Sequence, residues 1–240
     1  MQETILTFKR YEKKYLLSAR KFDLLWERMR EHLVPDLFFQ STVCSIYYDS
    51  DDFSLIRHSL DRPVYKEKLR LRSYNVPKPD GAVFVELKKK FRGVVYKRRV
   101  QMSAAAAESY LAGQTRPDED GQILREIDYF LHTHPVSPKV YIACEREAWV
   151  DREEPELRIT FDRNLRWRDT DLHLTAGSEG APLLDEGEVL MEIKIPGAAP
   201  LWLAHLLSEL EIFPTSFSKY GTCYRQDLLE KYFNGVIVCV

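Results

Sequence analysis

The chain has 240 residues, of which 45% are apolar, and a formal net charge of −2 at pH 7. This length and composition predict a globular protein with a buried core, in one large domain or two small ones. No stretch reaches the roughly 18 apolar residues of a membrane-spanning helix. The four cysteines lack both a Cys-x-x-Cys pair and a histidine at zinc-ligand spacing, so we predict neither a disulfide framework nor a zinc site.

The charge is unevenly distributed along the chain. Residues 66–99 contain 12 Lys or Arg against three acidic residues, a balance of 12 − 3 = +9, which leaves −2 − 9 = −11 for the rest. A block of like charge is most often a solvated face. The strand pattern in this block favours a second interpretation, in which the cations bind a ligand.

The first part of the chain predicts a strand, a helix and a second strand. Residues 8–17 alternate as a strand does. The polar face of this strand would carry Arg10, Glu12 and Lys14. Ser18 is predicted to cap a helix that continues to about Leu33 and ends at Pro35, and residues 43–48 are predicted to form the second strand.

The basic block has the clearest strand pattern. Residues 66–73 alternate cations with leucines, and residues 83–90 and 94–100 continue the alternation on either side of a turn at Gly93. The polar faces of these strands would carry Lys66, Lys68, Arg70, Arg72, Glu86, Lys88, Lys97 and Arg99.

After the basic block, the chain predicts two helices, three strands and two further helices. The predicted helices are residues 103–113, 122–131, 200–212 and 222–233. The predicted strands are residues 139–149, 157–162 and 189–195, with Arg158, Thr160, Asp162, Glu192 and Lys194 at polar positions. Residues 176–187 are predicted to form a loop and residues 216–221 a polar turn. Tyr47, Tyr48 and Trp149 are predicted to pack in the core or on the outside of the sheet.

About eight strands in hairpin-like succession, with helices between them, predict an α+β fold with an antiparallel sheet long enough to close into a barrel. Residues 1–240 are predicted to form one domain. Helices can cover the apolar face of each strand, so the charged face would meet either solvent or a barrel lumen. Two like charges ~6 Å apart at an effective dielectric of ~20 repel by ~3 kcal/mol, so a closed lumen would need a polyanion. Phosphate fits these residues, because Arg binds phosphate oxygens with two hydrogen bonds and Lys supplies a point charge.

Carboxylates share the polar faces with these cations. Glu12, Glu86 and Glu192 could be partners in structural ion pairs, or ligands of Mg²⁺ or Mn²⁺, which use one or two carboxylates together with substrate phosphates and water. Glu192 is the best candidate for a metal ligand. The chain contains no P-loop, dinucleotide-binding fingerprint or nucleophile elbow, so side chains would have to hold the phosphate.

Eight segments carry a resemblance to a known family. They are RYEKKY at 10–15, KLRLRSY at 68–74, VFVELKKK at 83–90, YKRR at 96–99, CEREAW at 144–149, LRITFD at 157–162, LMEIKIP at 190–196 and FSKYG at 217–221. Their combination and order resemble the VTC domain, the catalytic domain of the vacuolar transporter chaperone polyphosphate polymerases, which has stand-alone bacterial relatives. This family is part of the triphosphate tunnel metalloenzyme, or CYTH-like, superfamily.

The resemblance implies an eight-stranded antiparallel tunnel barrel that binds ATP and inorganic polyphosphate. With Mn²⁺ or Mg²⁺, such an enzyme transfers the ATP γ-phosphate onto a growing polyphosphate chain. The tunnel cations that the resemblance implies are Lys14, Arg70, Arg72, Lys88, Lys97, Arg146, Arg158 and Lys219. The implied metal ligand is Glu192, with Glu12 as a second carboxylate, and the implied further substrate contacts are Arg10, Arg99, Lys194 and Ser218.

One departure distinguishes this chain from the hydrolase and cyclase branches of the superfamily. Those branches resemble one another in an N-terminal Glu-x-Glu-x-Lys, whereas this chain has Arg10, Glu12 and Lys14. Arg10 removes a potential metal ligand and adds phosphate affinity, which favours a polymerase. Two alternatives stay open: a tripolyphosphatase or nucleoside triphosphatase that uses water in the same tunnel, and a non-catalytic polyphosphate sensor.

Nucleic acid is not an expected partner, because the basic strands lack a groove-reading helix and the chain is not basic overall. The N-terminus has no signal-peptide pattern. We therefore expect a cytoplasmic protein, which a membrane-protein partner could hold at a membrane.

Overall fold

The computed structural model describes residues 11–92, 94–118 and 121–233. The strands are β1 Tyr11–Leu17, β2 Leu33–Asp49, β3 Tyr65–Tyr74, β4 Ala82–Phe91, β5 Val94–Ser103, β6 Ser137–Asp151, β7 Arg158–Arg168, β8 Ala181–Pro182 and β9 Val189–Ile195. The α-helices are α1 Ala19–Met29, α2 Ser54–Leu60, α3 Ala104–Leu111, α4 Gln122–Thr133, α5 Leu201–Glu209, α6 Lys219–Cys223 and α7 Leu229–Phe233. A 3₁₀ turn, Arg30–His32, follows α1, and a π-helical turn, Tyr224–Leu228, joins α6 to α7.

The strands form one sheet in the order β1-β9-β7-β6-β2-β3-β4-β5, and the short strand β8 pairs with β7. Neighbouring strands run antiparallel, as in the pairs β1 with β9 and β3 with β4. The predicted α+β class, with eight main antiparallel strands and flanking helices, is confirmed. Within the described residues, β1 and β5 are the two ends of this order, so hydrogen bonds do not close the sheet. No described helix is long and apolar enough to cross a membrane.

The described residues fall into two compact units. The first consists of the described parts of residues 1–41, 144–165 and 184–217. Its core lies between the apolar faces of β1, β7 and β9 and the helices α1 and α5. Ser18 caps α1 as predicted, because its Oγ accepts a hydrogen bond from the N–H of Lys21. The alternation that buries Ile193 leaves Glu192 and Lys194 together on the opposite face.

The second unit consists of the described parts of residues 42–143, 166–183 and 218–240. In it β2, β3, β4 and β5 follow one another as antiparallel neighbours. Leu69 and Leu71 of β3 are fully buried in a core shared with α3 and α4. Because side chains alternate along a strand, Arg70 and Arg72 lie on the face away from that core. The single-domain assignment remains a prediction.

The structure differs from the predicted elements at several places. The helix predicted to end at Pro35 ends at Met29, and Pro35 lies inside β2, where a strand tolerates proline if its missing N–H is not needed for pairing. Helix α2 was not predicted, because seven residues are too few to show a helical period. The predicted turn at 216–221 is shorter, since Ser218 is the N-cap of α6 and its Oγ accepts the Gly221 N–H.

Candidate functional site

The second unit holds three cations around one buried carboxylate, that of Glu86. Arg70 Nε lies 2.6 Å from Glu86 Oε2, and Lys97 Nζ lies 2.6 Å from Glu86 Oε1. Arg72 Nε lies 4.0 Å from the same Oε2. The side chain of Glu86 is 1% exposed, whereas that of Lys97 is 40% exposed. We call Arg70, Arg72, Glu86 and Lys97 the Glu86 cluster.

The strand register explains how these residues meet. Arg70 is opposite Glu86 across β3 and β4, and Arg99 is opposite Glu86 across β4 and β5. Directly opposite side chains in an antiparallel pair lie on the same face and within contact distance. The guanidinium of Arg99 lies over the ring of Phe84, with its carbon 4.7 Å from the ring centroid. The basic block thus forms one polar face of three strands.

The Glu86 cluster has an excess of positive charge. Burial alone would raise the pKa of Glu86, but Arg70, Arg72 and Lys97 outweigh burial and lower the pKa from 4.5 to about 2. Glu86 is therefore ionised at neutral pH. Three cations and one anion leave 3 − 1 = +2 at a site where both arginine side chains are less than one-fifth exposed. An anionic ligand would neutralise this excess.

A row of lysines extends the same face. Lys68, Lys88 and Lys97 lie directly opposite one another on β3, β4 and β5. Like charges directly opposite each other are unfavourable in a sheet. Lys68 Nζ donates a hydrogen bond to Ser218 Oγ at 3.2 Å, which connects the row to the start of α6 and to Lys219, its first residue.

Tyr47 of β2 lies beside the Glu86 cluster, whereas the sequence predicts that it packs in the core or on the outside of the sheet. Its burial is confirmed, at 7% exposure, and its hydroxyl meets the guanidinium of Arg70, which lies directly opposite on β3. Burial alone would raise the pKa of Tyr47, yet Arg70, Arg72 and Lys219 lower it. The missed signal was the alternation in β2, which places on one face Ser45, Tyr47 and Asp49.

The first unit holds a second group of charges, in which the two signs balance. Lys14 is opposite Glu192 across β1 and β9, with Nζ 3.3 Å from Oε1. Arg146 donates two hydrogen bonds of 2.6 Å to the two carboxylate oxygens of Asp162. Its Nη2 also lies 3.9 Å from Glu192 Oε2. Burial alone would lower the pKa of Arg146, but Asp162 and Glu192 raise it. We call Lys14, Arg146, Asp162 and Glu192 the Glu192 cluster.

Two carboxylates of this unit meet at one ammonium group. Lys14 Nζ lies 3.6 Å from Glu12 Oε1 as well as 3.3 Å from Glu192 Oε1. Oxygen donors already gathered around a cation fit Mg²⁺ or Mn²⁺, which take one or two carboxylates and complete their shell with phosphate and water. Among the residues that the structure describes, no group of three or more His, Cys, Asp or Glu could hold a metal ion. Two carboxylates are too few to hold the ion alone, so phosphate and water would have to supply its other ligands.

Arg158 and Lys194 lie opposite each other on β7 and β9, in the same unit. Arg158 Nε is 2.7 Å from Asp36 Oδ2. Burial lowers the pKa of Lys194, against the raising effect of Glu192 and Glu12. Asp36 was missed because the sequence interpretation assigned no element to the residues after Pro35.

The predicted site residues divide between the two units. Those on the face of the Glu86 cluster or at the start of α6 are Arg70, Arg72, Lys88, Lys97, Arg99, Ser218 and Lys219. Those in or beside the Glu192 cluster are Glu12, Lys14, Arg146, Arg158, Glu192 and Lys194. Arg10 lies outside the described residues. The polar partners that were not predicted as site residues are Asp36, Ser45, Tyr47 and Asp162. The roles of all these residues in binding and catalysis stay predictions.

Comparisons with known proteins identify the family to which the chain belongs. Residues 9–226 match the family model of the VTC domain. The chain is 24% identical over 245 residues to vacuolar transporter chaperone complex subunit 4 of Trypanosoma brucei brucei, covering 85% of this chain but only 30% of that protein.

Two solved structures were found to be similar to this chain. A suggested adenylate cyclase of Bacillus halodurans has a TM-score of 0.53 at 15% identity, over 86% of this chain and 92% of that one. A suggested adenylyl cyclase of Hippeastrum, described as having a dominant triphosphatase activity, has a TM-score of 0.48 at 14% identity, over 89% and 94% of the two chains. The first likeness supports the predicted α+β fold with an antiparallel sheet. Because the family model matches most of the length of this chain, the chain belongs to the VTC domain family.

Proposed function

We propose that the chain is a polyphosphate polymerase that transfers the γ-phosphate of ATP onto a growing chain of inorganic polyphosphate. The observation that carries this proposal is the Glu86 cluster, where three cations share one buried carboxylate. Arg binds phosphate oxygens with two parallel hydrogen bonds and Lys supplies a compact charge. Membership of the VTC domain family supports the same substrate class.

The proposed reaction is an in-line phosphoryl transfer. A terminal oxygen of the acceptor polyphosphate forms a bond to the γ-phosphorus of ATP. The bond from that phosphorus to the oxygen shared with the β-phosphate breaks, and ADP leaves with the electron pair. The acceptor oxygen is already ionised at neutral pH, so no side chain has to remove a proton.

The residues of the chain would position the phosphates and stabilise charge. Arg70, Arg72 and Lys97 would hold the transferring phosphoryl group, because their three positive charges exceed the one negative charge of Glu86 by two. The row of lysines that includes Lys88 would bind the phosphates next to the transferring group, together with Lys219. Positioning and electrostatic stabilisation provide most of the catalysis in phosphoryl transfer.

Mn²⁺ or Mg²⁺ would be held by Glu192, with Glu12 as a second ligand. When bound, the ion would neutralise charge on the phosphate oxygens. Lys14 lies next to both carboxylates, and Arg146 lies beside Glu192 while it holds Asp162 with two hydrogen bonds. These two cations would hold the carboxylates in position.

We also propose that the chain works in the cytoplasm with a partner protein. The curated relative is by name a subunit of a complex, and this chain spans only 30% of it. A membrane protein is the partner class that we propose, since it could hold the polymerase at a membrane and receive the polymer.

Incubation of the purified protein with ATP and Mn²⁺ tests the proposed reaction. We expect ADP and a ladder of polyphosphate chains on a gel. Orthophosphate without polymer would identify a triphosphatase instead. Tight binding of polyphosphate with no turnover in Mn²⁺ or Mg²⁺ would identify a sensor. Either result would contradict the polymerase assignment.

A further inference from the structure

Two stacked tyrosines lie beside the Glu86 cluster in the second unit. The rings of Tyr47 and Tyr220 have centroids 4.9 Å apart and planes inclined by 21°. The residues are 7% and 2% exposed. They come from β2 and α6, which are far apart in sequence, so the stack connects a strand of the sheet to the helix that begins with Lys219.

A buried carboxylate holds Tyr220 in place. The Tyr220 hydroxyl donates a hydrogen bond of 2.8 Å to Asp49 Oδ2. Asp49 is fully buried, and its carboxylate also accepts hydrogen bonds from the N–H groups of Ser50, Leu55 and Ile56 at 2.9, 2.9 and 3.0 Å. An acceptor held by three backbone groups cannot turn freely. Tyr220 is therefore fixed at its hydroxyl and at its ring.

Tyr47, the second ring of the stack, lies next to the cation Arg70. Tyr47 lies directly opposite Arg70 across β2 and β3, so its hydroxyl meets the guanidinium of Arg70, and the charge of Lys219 acts on the same hydroxyl. Lys219 directly precedes Tyr220, so a fixed Tyr220 restricts where its neighbour can lie. A continuous series of contacts thus connects Asp49, Tyr220, Tyr47 and Arg70.

We propose that Tyr220 is a positioning residue, anchored by Asp49, that holds Lys219 and, through Tyr47, Arg70 in the arrangement that binds a chain of phosphates. Lys and Arg lose more side-chain entropy on being fixed than most residues do. Fixing them before the ligand arrives removes that cost from binding. The inference rests on the proposed function, because it names a polyphosphate anion as the ligand.

The test measures binding of inorganic tripolyphosphate by calorimetry at constant ionic strength, without ATP or metal. Tyr220→Phe removes only the hydroxyl and leaves the stacked ring. We expect tripolyphosphate to bind about threefold to tenfold more weakly, the effect of one hydrogen bond. Because Asp49 keeps its three backbone donors, we expect Tyr220→Phe to stay folded.

A double-mutant cycle separates positioning from a general structural effect. If Tyr220 acts through Lys219, Tyr220→Phe should weaken binding much less when Lys219 is already Met. A purely structural role would weaken binding by the same factor in both backgrounds. That result, or unchanged binding by Tyr220→Phe, would overturn the inference.

Tyr110→Phe is the matched control. The Tyr110 hydroxyl donates a 2.6 Å hydrogen bond to Asp128 in the same unit, and the residue is 4% exposed. This variant should lose similar thermal stability and bind tripolyphosphate as the parent does. Equal weakening by the control would overturn the positioning role. Failure of the parent to bind tripolyphosphate, or undiminished binding by Lys219→Met, would instead contradict the proposed phosphate site itself.

Discussion

Arg70 and Glu86 face each other across β3 and β4, with the guanidinium Nε 2.6 Å from the carboxylate Oε2. Glu86 is the partner not only of Arg70 but also of Arg72 and Lys97. One buried anion therefore holds together three cations that would otherwise repel one another. The same arrangement predicts separate effects on stability and on activity.

Glu86→Gln should destabilise the protein. Removal of one partner from a buried ion pair leaves uncompensated charge, so we expect a loss of ~3 kcal/mol in the free energy of unfolding, measured with urea. Tripolyphosphate should restore part of this loss, because it supplies the missing negative charge. The control Glu209→Gln breaks the exposed pair with Arg28 and should cost less than ~1 kcal/mol. Equal stability of Glu86→Gln and parent would contradict the role of Glu86.

Glu86 should also make stability depend on pH. Above the unfolded pKa of 4.5 the carboxylate is ionised in both states, and its stabilising effect is complete. As the pH falls from 4.5 to about 2, the unfolded chain takes up a proton that the folded chain does not, so the free energy of unfolding decreases.

The fully buried Glu86 should contribute about 3 kcal/mol to this decrease, at about 1.4 kcal/mol for each unit of pKa. Urea unfolding between about pH 5 and about pH 2.5 measures most of it. Glu86→Gln should show a shallower dependence. Parallel pH curves for the variant and the parent would rule out the lowered pKa.

Arg72→Ala should affect the rate far more than the fold. Arg72 donates to Ser45 Oγ at 3.1 Å and lies at the edge of the cluster, 4.0 Å from Glu86. The loss of one group that stabilises transition-state charge typically costs about 10²- to 10³-fold in rate, which we expect for polymer synthesis. Arg28→Ala deletes an exposed arginine and should synthesise polymer normally. Undiminished synthesis by Arg72→Ala would remove Arg72 from the site.

Glu192→Gln should weaken metal binding. The carboxylate lies beside Lys14 and Arg146, and Glu12 adds a second donor at the same ammonium. We expect Mn²⁺ affinity, measured by electron paramagnetic resonance with tripolyphosphate present, to fall about tenfold or more. Glu209→Gln should retain the parent affinity. Unchanged Mn²⁺ binding by Glu192→Gln would place the metal elsewhere.

Arg10→Glu should shift the products from polymer towards orthophosphate. The change gives the Glu-x-Glu-x-Lys of the hydrolase branches, which adds a potential metal ligand and removes a cation that is predicted to contact the phosphates. The ratio of orthophosphate released to polymer formed measures the shift. Arg20→Glu makes the same change of charge at an exposed position of α1 and should keep the parent ratio. An unchanged ratio in Arg10→Glu would show that Arg10 does not select the nucleophile.

Much of the polar face could be predicted from the sequence, because side chains alternate along any strand whatever its neighbours are. Arg70 and Glu86 were assigned to polar faces in this way, and the register places them opposite each other. Strand order is different, because it depends on contacts between distant segments. The pairing that brings Lys14 to Glu192 joins the first and last strands, and no local pattern indicates it.

The partners of the cations were the hardest residues to predict. Asp36 lies in a part of β2 that follows a proline and lacks a regular alternation, yet it pairs with Arg158. Tyr47 has an aromatic ring that suits a core, and only its position opposite Arg70 shows that the hydroxyl meets a cation. Both contacts depend on tertiary structure.

The fate of the γ-phosphate tests the central claim most directly. The protein is incubated with Mn²⁺ and ATP labelled at either the γ- or the α-phosphate, and the products are separated on a gel. We predict that the γ label enters polyphosphate chains that lengthen with time, while the α label stays in ADP. A γ label found only in orthophosphate, or no transfer of label at all, would contradict the assignment of this chain as a polyphosphate polymerase.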